Sequence, residues 1–507
     1  MSLELTDFRT FSRAGAKAGR LARMHREPVA LATSIVRNSV ALMAVGLLAK
    51  GMGLVIAVLI ARFLGPSAMG LFALLFSIAL LIEYIAPLGL QDVLIREVAA
   101  HPRERVRLWT QASRLAFAAS LVPAAAFLVA AWFYRGDASM RNSLLALAAG
   151  MPCSAMALVA QAVLQGMEKM LYITWTTFLT RVASLVALVL MLVQGMGVEA
   201  AFISRVLFQA GTAALFVWMI LRNAPEPDAA AAHPGLPFAR TLPFAVNRAL
   251  TESTTRAPLL LLPILFTFAD IGIFDAADRI RLTLGIMVAV ATTAIMPALS
   301  RSFAGQSEDR HALVSYSVKY VCVILSCAAL GISIFADVIV RLLYGAQFAA
   351  SALLLQVLIW TQVLVATDAM LKQAMIANGR EYAVVTRALA GLVALAALVL
   401  GLGHAFGLVG AAAGVLAAAV FTLALDARFV ARDIGPFESM RFLWKPLACA
   451  ALAGAVLVYL DRESTWVRLG AGIGTYLLAS LAAGLLPRGE RAFLQDALRH
   501  GLGRARP

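Results

Sequence analysis

At 507 residues, 61% hydrophobic and 14% charged, with mean hydropathy +0.85, the chain is far more apolar than a soluble domain. Soluble domains run about 45–50% apolar and about 25% charged, so this balance excludes a disordered chain, a disulfide-stapled secreted module and an ordinary soluble enzyme. It leaves a protein whose solvent is mostly lipid, and the formal charge of +15 asks which face of a membrane carries it.

Residues 1–38 are polar and basic and lack a cleavable signal pattern, so the apolar run that follows is expected to be an uncleaved first span. Arg9, Arg13, Lys17, Arg20 and Arg23 recur every three to four residues. That spacing suits an amphipathic helix on an anionic leaflet, or equally a frayed basic tail. Apolar segments then follow at 39–61, 71–90, 115–133, 143–165, 171–194, 200–220, 242–266, 274–297, 318–340, 350–371, 383–402, 409–426, 446–459 and 469–486. A span needs about 20 apolar residues, and the short thirteenth is expected to extend to Phe442 with Lys445 snorkelling to the interface. The sequence thus predicts an all-α integral membrane protein of about fourteen helices.

The connections alternate. Of the 43 Lys and Arg residues, 28 fall in the two tails and the even loops, 6 in the short odd loops and 9 inside spans. The positive-inside rule places both termini and the even loops in the cytoplasm. Most of the +15 is therefore topology, and no nucleic-acid partner is needed.

The Ala- and Pro-containing linker 221–241 divides the chain. It separates an N-lobe of six spans (39–220) from a C-lobe of six (242–426), followed by two further spans with their loops (427–486) and a basic tail (487–507). At an offset of 202, residues 70–78 (GLFALLFSI) align weakly with 272–280 (GIFDAADRI), each after the first outward loop of its half. Repeated halves with a substrate path between them are a common transporter plan.

A charge at mid-bilayer costs about 2.5–3.5 kcal/mol on insertion scales, so it should face a cavity or a partner. Lys319 and Arg387 lie near cytoplasmic ends and Arg205 near an outward end, where they can snorkel. Asp275 and Arg279 are spaced to pair on one helical face, so that this region reads equally as an ion pair or a ligand site. Arg248, Glu252 and Arg256 share one face of span seven over about 12 Å, which predicts a wet cleft or a ladder of salt bridges. Pro258 and Pro263 follow and mark a hinge. Lys50, flanked by Gly51 and Gly53, is the counterpart in span one, and Arg181 is likewise without a local acid. Glu83, Asp368 and Asp278 are the candidates for ion coupling by H⁺ or Na⁺, Glu83 and Asp368 the better two because neither has a basic neighbour in its span. Cys153, Cys322, Cys327 and Cys449 read as small buried hydrophobes, and no metal-ligand or cofactor pattern is present.

The stretch Ala61-Arg62-Phe63-Leu64-Gly65-Pro66 with Gly70-Leu71-Phe72 resembles the first outward loop of bacterial polysaccharide-biosynthesis flippases of the Wzx type. Val340-Arg341-Leu342-Leu343-Tyr344-Gly345-Ala346-Gln347-Phe348, Leu88-Gly89-Leu90 with Arg96-Glu97, and Gly272-Ile273-Phe274 with Ala276-Ala277 carry the resemblance further, over about 35–430. These flippases belong to the superfamily that also holds multidrug and toxin extrusion (MATE) transporters and lipid II flippases.

The resemblance implies a MATE-like fold of two pseudo-symmetric six-helix lobes plus two C-terminal helices. It implies a monomer in the bacterial inner membrane that passes an undecaprenyl-pyrophosphate-linked oligosaccharide to the outer leaflet by alternating access, alongside a polymerase and a chain-length regulator. Lys50, Arg181, Arg248, Glu252 and Arg256 would then line the head-group cavity, because guanidinium groups bind phosphate oxygens in pairs. Gln91, Asn247, Gln362, Gln373, Trp175 and Trp360 are available to sugars. The alternatives are a lipid II flippase, a multidrug exporter, and a membrane polymerase or ligase. The last should carry a long outward catalytic loop, and every predicted outward loop is short.

Overall fold

The computed structural model describes residues 51–83, 89–222, 242–285, 309–433, 445–446, 448–449, 452–456 and 465–483. Lys50, the basic N-terminal segment and the 487–507 tail lie outside the described residues. All regular elements within them are helical: α1 (Gly51–Glu83), α2 (Leu90–Ala100), α3 (Arg105–Phe133), α4 (Ala138–Gly166), α5 (Met170–Val193), α6 (Glu199–Arg222), α7 (Leu242–Leu261), α8 (268–285), α9 (Asp309–Ile334), α10 (Ala336–Tyr344), α11 (Ser351–Ala377), α12 (Glu381–Asp433) and α13 (Thr465–Ala482), with short 3₁₀ turns between some of them.

Two of these runs hold two predicted spans each. Gly65 in α1 has φ 83° and Gly407 in α12 has φ 65°, ψ −150°. A right-handed helix cannot pass through such angles, which glycine alone adopts cheaply. Each run is therefore two arms meeting where the sequence predicts an outward loop. Seven helices among the described residues are long and apolar enough to cross a membrane, or eight with the bent α9–α10 pair. With α1 and α12 counted as two spans each, and α7, α8 and α13 added, the described helices make thirteen; helical pieces at 445–446, 448–449 and 452–456 stand where the remaining span is expected, and the fourteen-helix plan fits.

The most extensive packing runs among α2–α6 in one lobe and among α7, α9, α11, α12 and α13 in the other. The segment 91–114, which reads as a basic loop, is helical in α2 and in the first turns of α3. Leu90, Val93, Leu94 and Val98 of α2 recur at helical spacing and are buried against Val159, Val163 and Phe216. Lys445 Nζ donates to the Ala483 carbonyl at 3.0 Å, capping the end of α13.

At one end of the molecule the repeat folds onto itself. A Cβ on Gly70 would lie 1.7 Å from the Phe268 carbonyl oxygen, and one on Gly272 would lie 2.0 Å from the Pro66 carbonyl oxygen. Both pairs are related by the 202-residue offset, so the two halves meet across a local pseudo-two-fold at residues where no side chain fits. Nearby, Val321–Ile334 and Ala336–Tyr344 meet at 67°. α10 buries Ala336, Val340 and Tyr344 and exposes Val338, Leu342 and the Asp337–Arg341 pair, the two-faced pattern of a helix lying in a membrane interface.

Candidate substrate cavity

A cavity of about 760 Å³ lies between α1 and the C-lobe helices α7, α8, α11 and α12. Its charged lining is Arg256, Arg279, Arg281 and Lys372 against Glu252, Asp275 and Asp368. Thr254, Thr255, Thr283, Thr361, Gln362, Gln373 and Thr422 add hydroxyl and amide groups.

The charges differ in how they are held. Arg279 Nε bonds Asp275 at 2.5 Å, one turn earlier on α8, and Arg281 Nε bonds Asp278 at 2.6 Å while Nη1 reaches Thr361 Oγ1 at 3.5 Å. These two cations are neutralised in place. Arg256 makes no ion pair among the described residues, and its buried Nε has no hydrogen-bond partner. Glu252, one turn earlier, and Asp275 and Asp278 act on it through space without coming to ion-pair distance, so its Nε is left to bond a ligand. Arg256 is thus the group most open to an anion.

On α11, Lys372 Nζ lies 2.6 Å from Asp368 Oδ2 and 3.7 Å from Asp426 Oδ2 of α12. Arg387 Nε lies 3.6 Å from the other Asp426 oxygen, and its guanidinium stacks 3.5 Å from the Phe429 ring centroid. Asp426 is fully buried, yet neither of its oxygens is hydrogen-bonded. Two carboxylates thus share a lysine at the cavity wall.

The N-lobe holds a separate cluster. Arg205 pairs with Glu83, Gln209 Nε2 donates to Glu83 Oε1 at 2.9 Å, and Arg181 stacks 3.7 Å from the Phe208 centroid. Arg205 also lies over Phe76, a cavity-lining ring that faces Arg279 from the other lobe at 5.7 Å.

The sequence-predicted residues separate accordingly. Glu252, Arg256, Asp368, Gly53 and Pro258 line the cavity. Lys50 lies outside the described residues, as does the side chain of Arg248, whose backbone is in α7. Arg181 belongs to the N-lobe cluster, and Asp278 is held by Arg281 behind the wall. Gly51 and Gly53 sit in continuous helix, the break in α1 being at Gly65; Pro258 is inside α7 and Pro263 in the 3₁₀ turn that ends it. Gln362 and Gln373 reach the cavity, whereas Trp175 is 67% exposed on the outer face of α5.

Three expectations are corrected. Glu83 is not without a basic partner, because Arg205 reaches it from 122 residues away. Asp368 is not unpaired either: Lys372 is one turn on, beyond the end assigned to the apolar run. Arg205 and Arg387 do not snorkel but pair with buried carboxylates.

A family model described as polysaccharide biosynthesis protein matches residues 35–303, more than half of the chain. The chain belongs to the polysaccharide biosynthesis protein family. That family lies within the superfamily of oligosaccharide and lipid flippases and multidrug exporters, and a transport role follows. No curated protein shows significant similarity to the sequence. Among solved structures, the lipid II flippase MurJ in an inward closed conformation is 14% identical with TM-score 0.67, over 92% of this chain and 100% of that one. An inward-facing multidrug resistance MATE transporter is 16% identical with TM-score 0.59, over 79% and 98%. A superfamily transporter from Pyrococcus furiosus, whose binding pocket is described as having reverse polarity, is 15% identical with TM-score 0.57, over 78% and 95%.

Within this polysaccharide biosynthesis protein, sequence reasoning missed Lys372 and Asp426. Their i,i+4 and cross-helix geometry straddles the span ends, where a hydropathy window stops looking. A count of charges at i±4 across the predicted boundary finds the Asp368–Lys372 pair; nothing local finds Asp426.

Proposed function

We propose that the chain translocates an undecaprenyl-pyrophosphate-linked oligosaccharide repeat unit from the inner to the outer leaflet of the bacterial cytoplasmic membrane, supplying O-antigen, capsule or exopolysaccharide synthesis. The observation that carries this is Arg256: a half-buried cation with no close ion pair among the described residues and an unbonded Nε, in a cavity between the lobes of a polysaccharide biosynthesis fold. A phosphate oxygen accepts from the unbonded Arg256 Nε through a charge-assisted hydrogen bond. The seven threonine and glutamine side chains serve sugar hydroxyls, and the prenyl chain stays in lipid. Transport needs no covalent step. The termini face the cytoplasm, as the basic loops require, and the protein works as a monomer beside a polymerase and a chain-length regulator.

Coupling to H⁺ is assigned to Asp368 with Asp426. A proton taken by one carboxylate frees Lys372 to move toward the other, a rearrangement at the cavity wall that an alternating-access cycle can use. Lipid II is a second reading, since the same prenyl pyrophosphate would meet the same cations; the family match favours the polysaccharide repeat unit. A multidrug exporter for cations fits poorly, because four basic groups face three acidic ones in the cavity.

The test is deletion of the gene with leaflet-resolved assay of lipid-linked repeat units. Retention on the inner leaflet supports a flippase; units that reach the outer leaflet but stay unpolymerised indicate a polymerase.

A further inference from the structure

We propose that two motif segments, 61–70 and 341–348, form a closed gate across the end of the cavity at the predicted outward loops, latched by Arg62 and Gln347. The proposal rests on the two-lobe transport reading but on no particular cargo.

Arg62, in the N-lobe, donates from Nε to the Leu343 carbonyl at 2.8 Å and from Nη2 to the Leu342 carbonyl. Both carbonyls lie in the last turn of α10, in the C-lobe. The final carbonyls of a helix have no partner within it and carry the negative end of its dipole, so a guanidinium is a fitting cap. The exchange is reciprocal: Gln347 Nε2, from the C-lobe, donates to the Ala61 carbonyl at 3.0 Å. Each lobe thus closes a backbone end of the other.

Beneath this latch lies the Gly70–Gly272 contact, where backbone meets backbone with no room for a Cβ. Beneath that, Arg279 lies 5.2 Å from the Phe72 centroid and 5.7 Å from that of Phe76, again across the lobes and against the cavity. All three contacts join the N-lobe to the C-lobe on this side. They are also built to part. The Arg62 bonds are exposed to solvent, so the freed donors and carbonyls are rehydrated rather than stranded, and the glycine layer holds no side-chain polar group. The Asp337–Arg341 pair on the same helix is internal to α10 and takes no part.

The experiment uses the full chain in intact cells, with Cys153, Cys322, Cys327 and Cys449 replaced by Ala and a reporter cysteine placed in the cavity as Thr255→Cys. A membrane-impermeant maleimide added outside reads whether the cavity opens to that side. The reporter chain should label weakly. Arg62→Ala should raise labelling by roughly tenfold, the effect of losing one charge-assisted contact. Gln347→Ala should raise it less, the double variant most, and Arg62→Lys should fall between parent and Ala because an ammonium keeps the charge but offers one nitrogen in place of the rigid two-nitrogen fork. Gly70→Ala should also raise it; if that variant fails to accumulate, the Arg62 and Gln347 variants decide. Strong labelling of the reporter chain itself, or unchanged labelling in the Arg62→Ala, Gln347→Ala double variant at unchanged membrane level, would overturn the gate. Since the label reads the gate whichever substrate is carried, a negative leaflet assay beside positive labelling would remove only the cargo reading.

Discussion

Arg256 and Arg205 are both half-buried arginines in the lipid-embedded part of the chain, and the structure gives them different surroundings. Arg205 is the ion-pair partner of Glu83, whose side chain is 7% exposed. Replacing it with Ala leaves that carboxylate buried with Gln209 as its remaining hydrogen-bond donor. Breaking a buried pair from one side costs about 3–5 kcal/mol, a large part of a stability of about 5–15 kcal/mol. Removing Arg256 breaks no close ion pair among the described residues; Glu252, Asp275 and Asp278 act on it only through space, and Asp275 and Asp278 keep their own arginines. Its loss relieves a desolvated charge and takes away contacts to phosphate worth about 1.5–3 kcal/mol, which is roughly 10- to 150-fold in affinity. Arg205→Ala should therefore lower membrane abundance and thermal midpoint in detergent. Arg256→Ala should keep both and lose polysaccharide export. Immunoblots of membranes, a melting curve of the purified protein and the yield of surface polysaccharide read the three quantities. Full export by Arg256→Ala at normal abundance would refute its head-group role. Loss of protein equal to that of Arg205→Ala would refute the claim that it holds no close ion pair.

Two further substitutions probe other parts of the account. Lys372→Met removes the cation shared by Asp368 and Asp426, so abundance should fall, and adding Asp368→Asn should restore it by removing one of the two facing charges; an unchanged level in the single variant would contradict the shared-lysine geometry. Arg341→Ala should leave abundance and export unchanged, although Arg341 lies in the same motif as Gln347. Its pair with Asp337 is more than half exposed on both sides, and such pairs contribute at most about 1 kcal/mol.

Much of the fold is legible in the sequence because lipid imposes a coarse code. Spans three to six, read as 115–133, 143–165, 171–194 and 200–220, correspond to α3–α6. What hydropathy does not see is the amphipathic continuation of a helix beyond lipid. α3 starts at Arg105, and α2 occupies what reads as loop, since its apolar stripe of Leu90, Val93, Leu94 and Val98 is diluted by Arg96 and Glu97. The weak 202-residue repeat proves physically informative, because Gly70 and Gly272 are pressed together where the halves meet.

The site was half legible. Glu252 and Arg256 line the cavity as helical spacing suggests, and Asp275 pairs with Arg279 at i,i+4. The pairing of Glu83 with Arg205 was not, since a tertiary contact across 122 residues leaves no local mark. Arg62 and Gln347 stand in motifs that signal family, but their mutual capping depends on two lobes meeting, which no single segment encodes.

The measurement that bears most directly on the central claim is translocation by the purified full chain in proteoliposomes loaded with an undecaprenyl-pyrophosphate-linked oligosaccharide. Access of the sugar to an enzyme added outside reports the leaflet. Transfer is expected with the native chain and is expected to be lost with Arg256→Ala, at equal reconstituted protein. Transfer at the protein-free rate with the native chain, or at the native rate with Arg256→Ala, would contradict that claim.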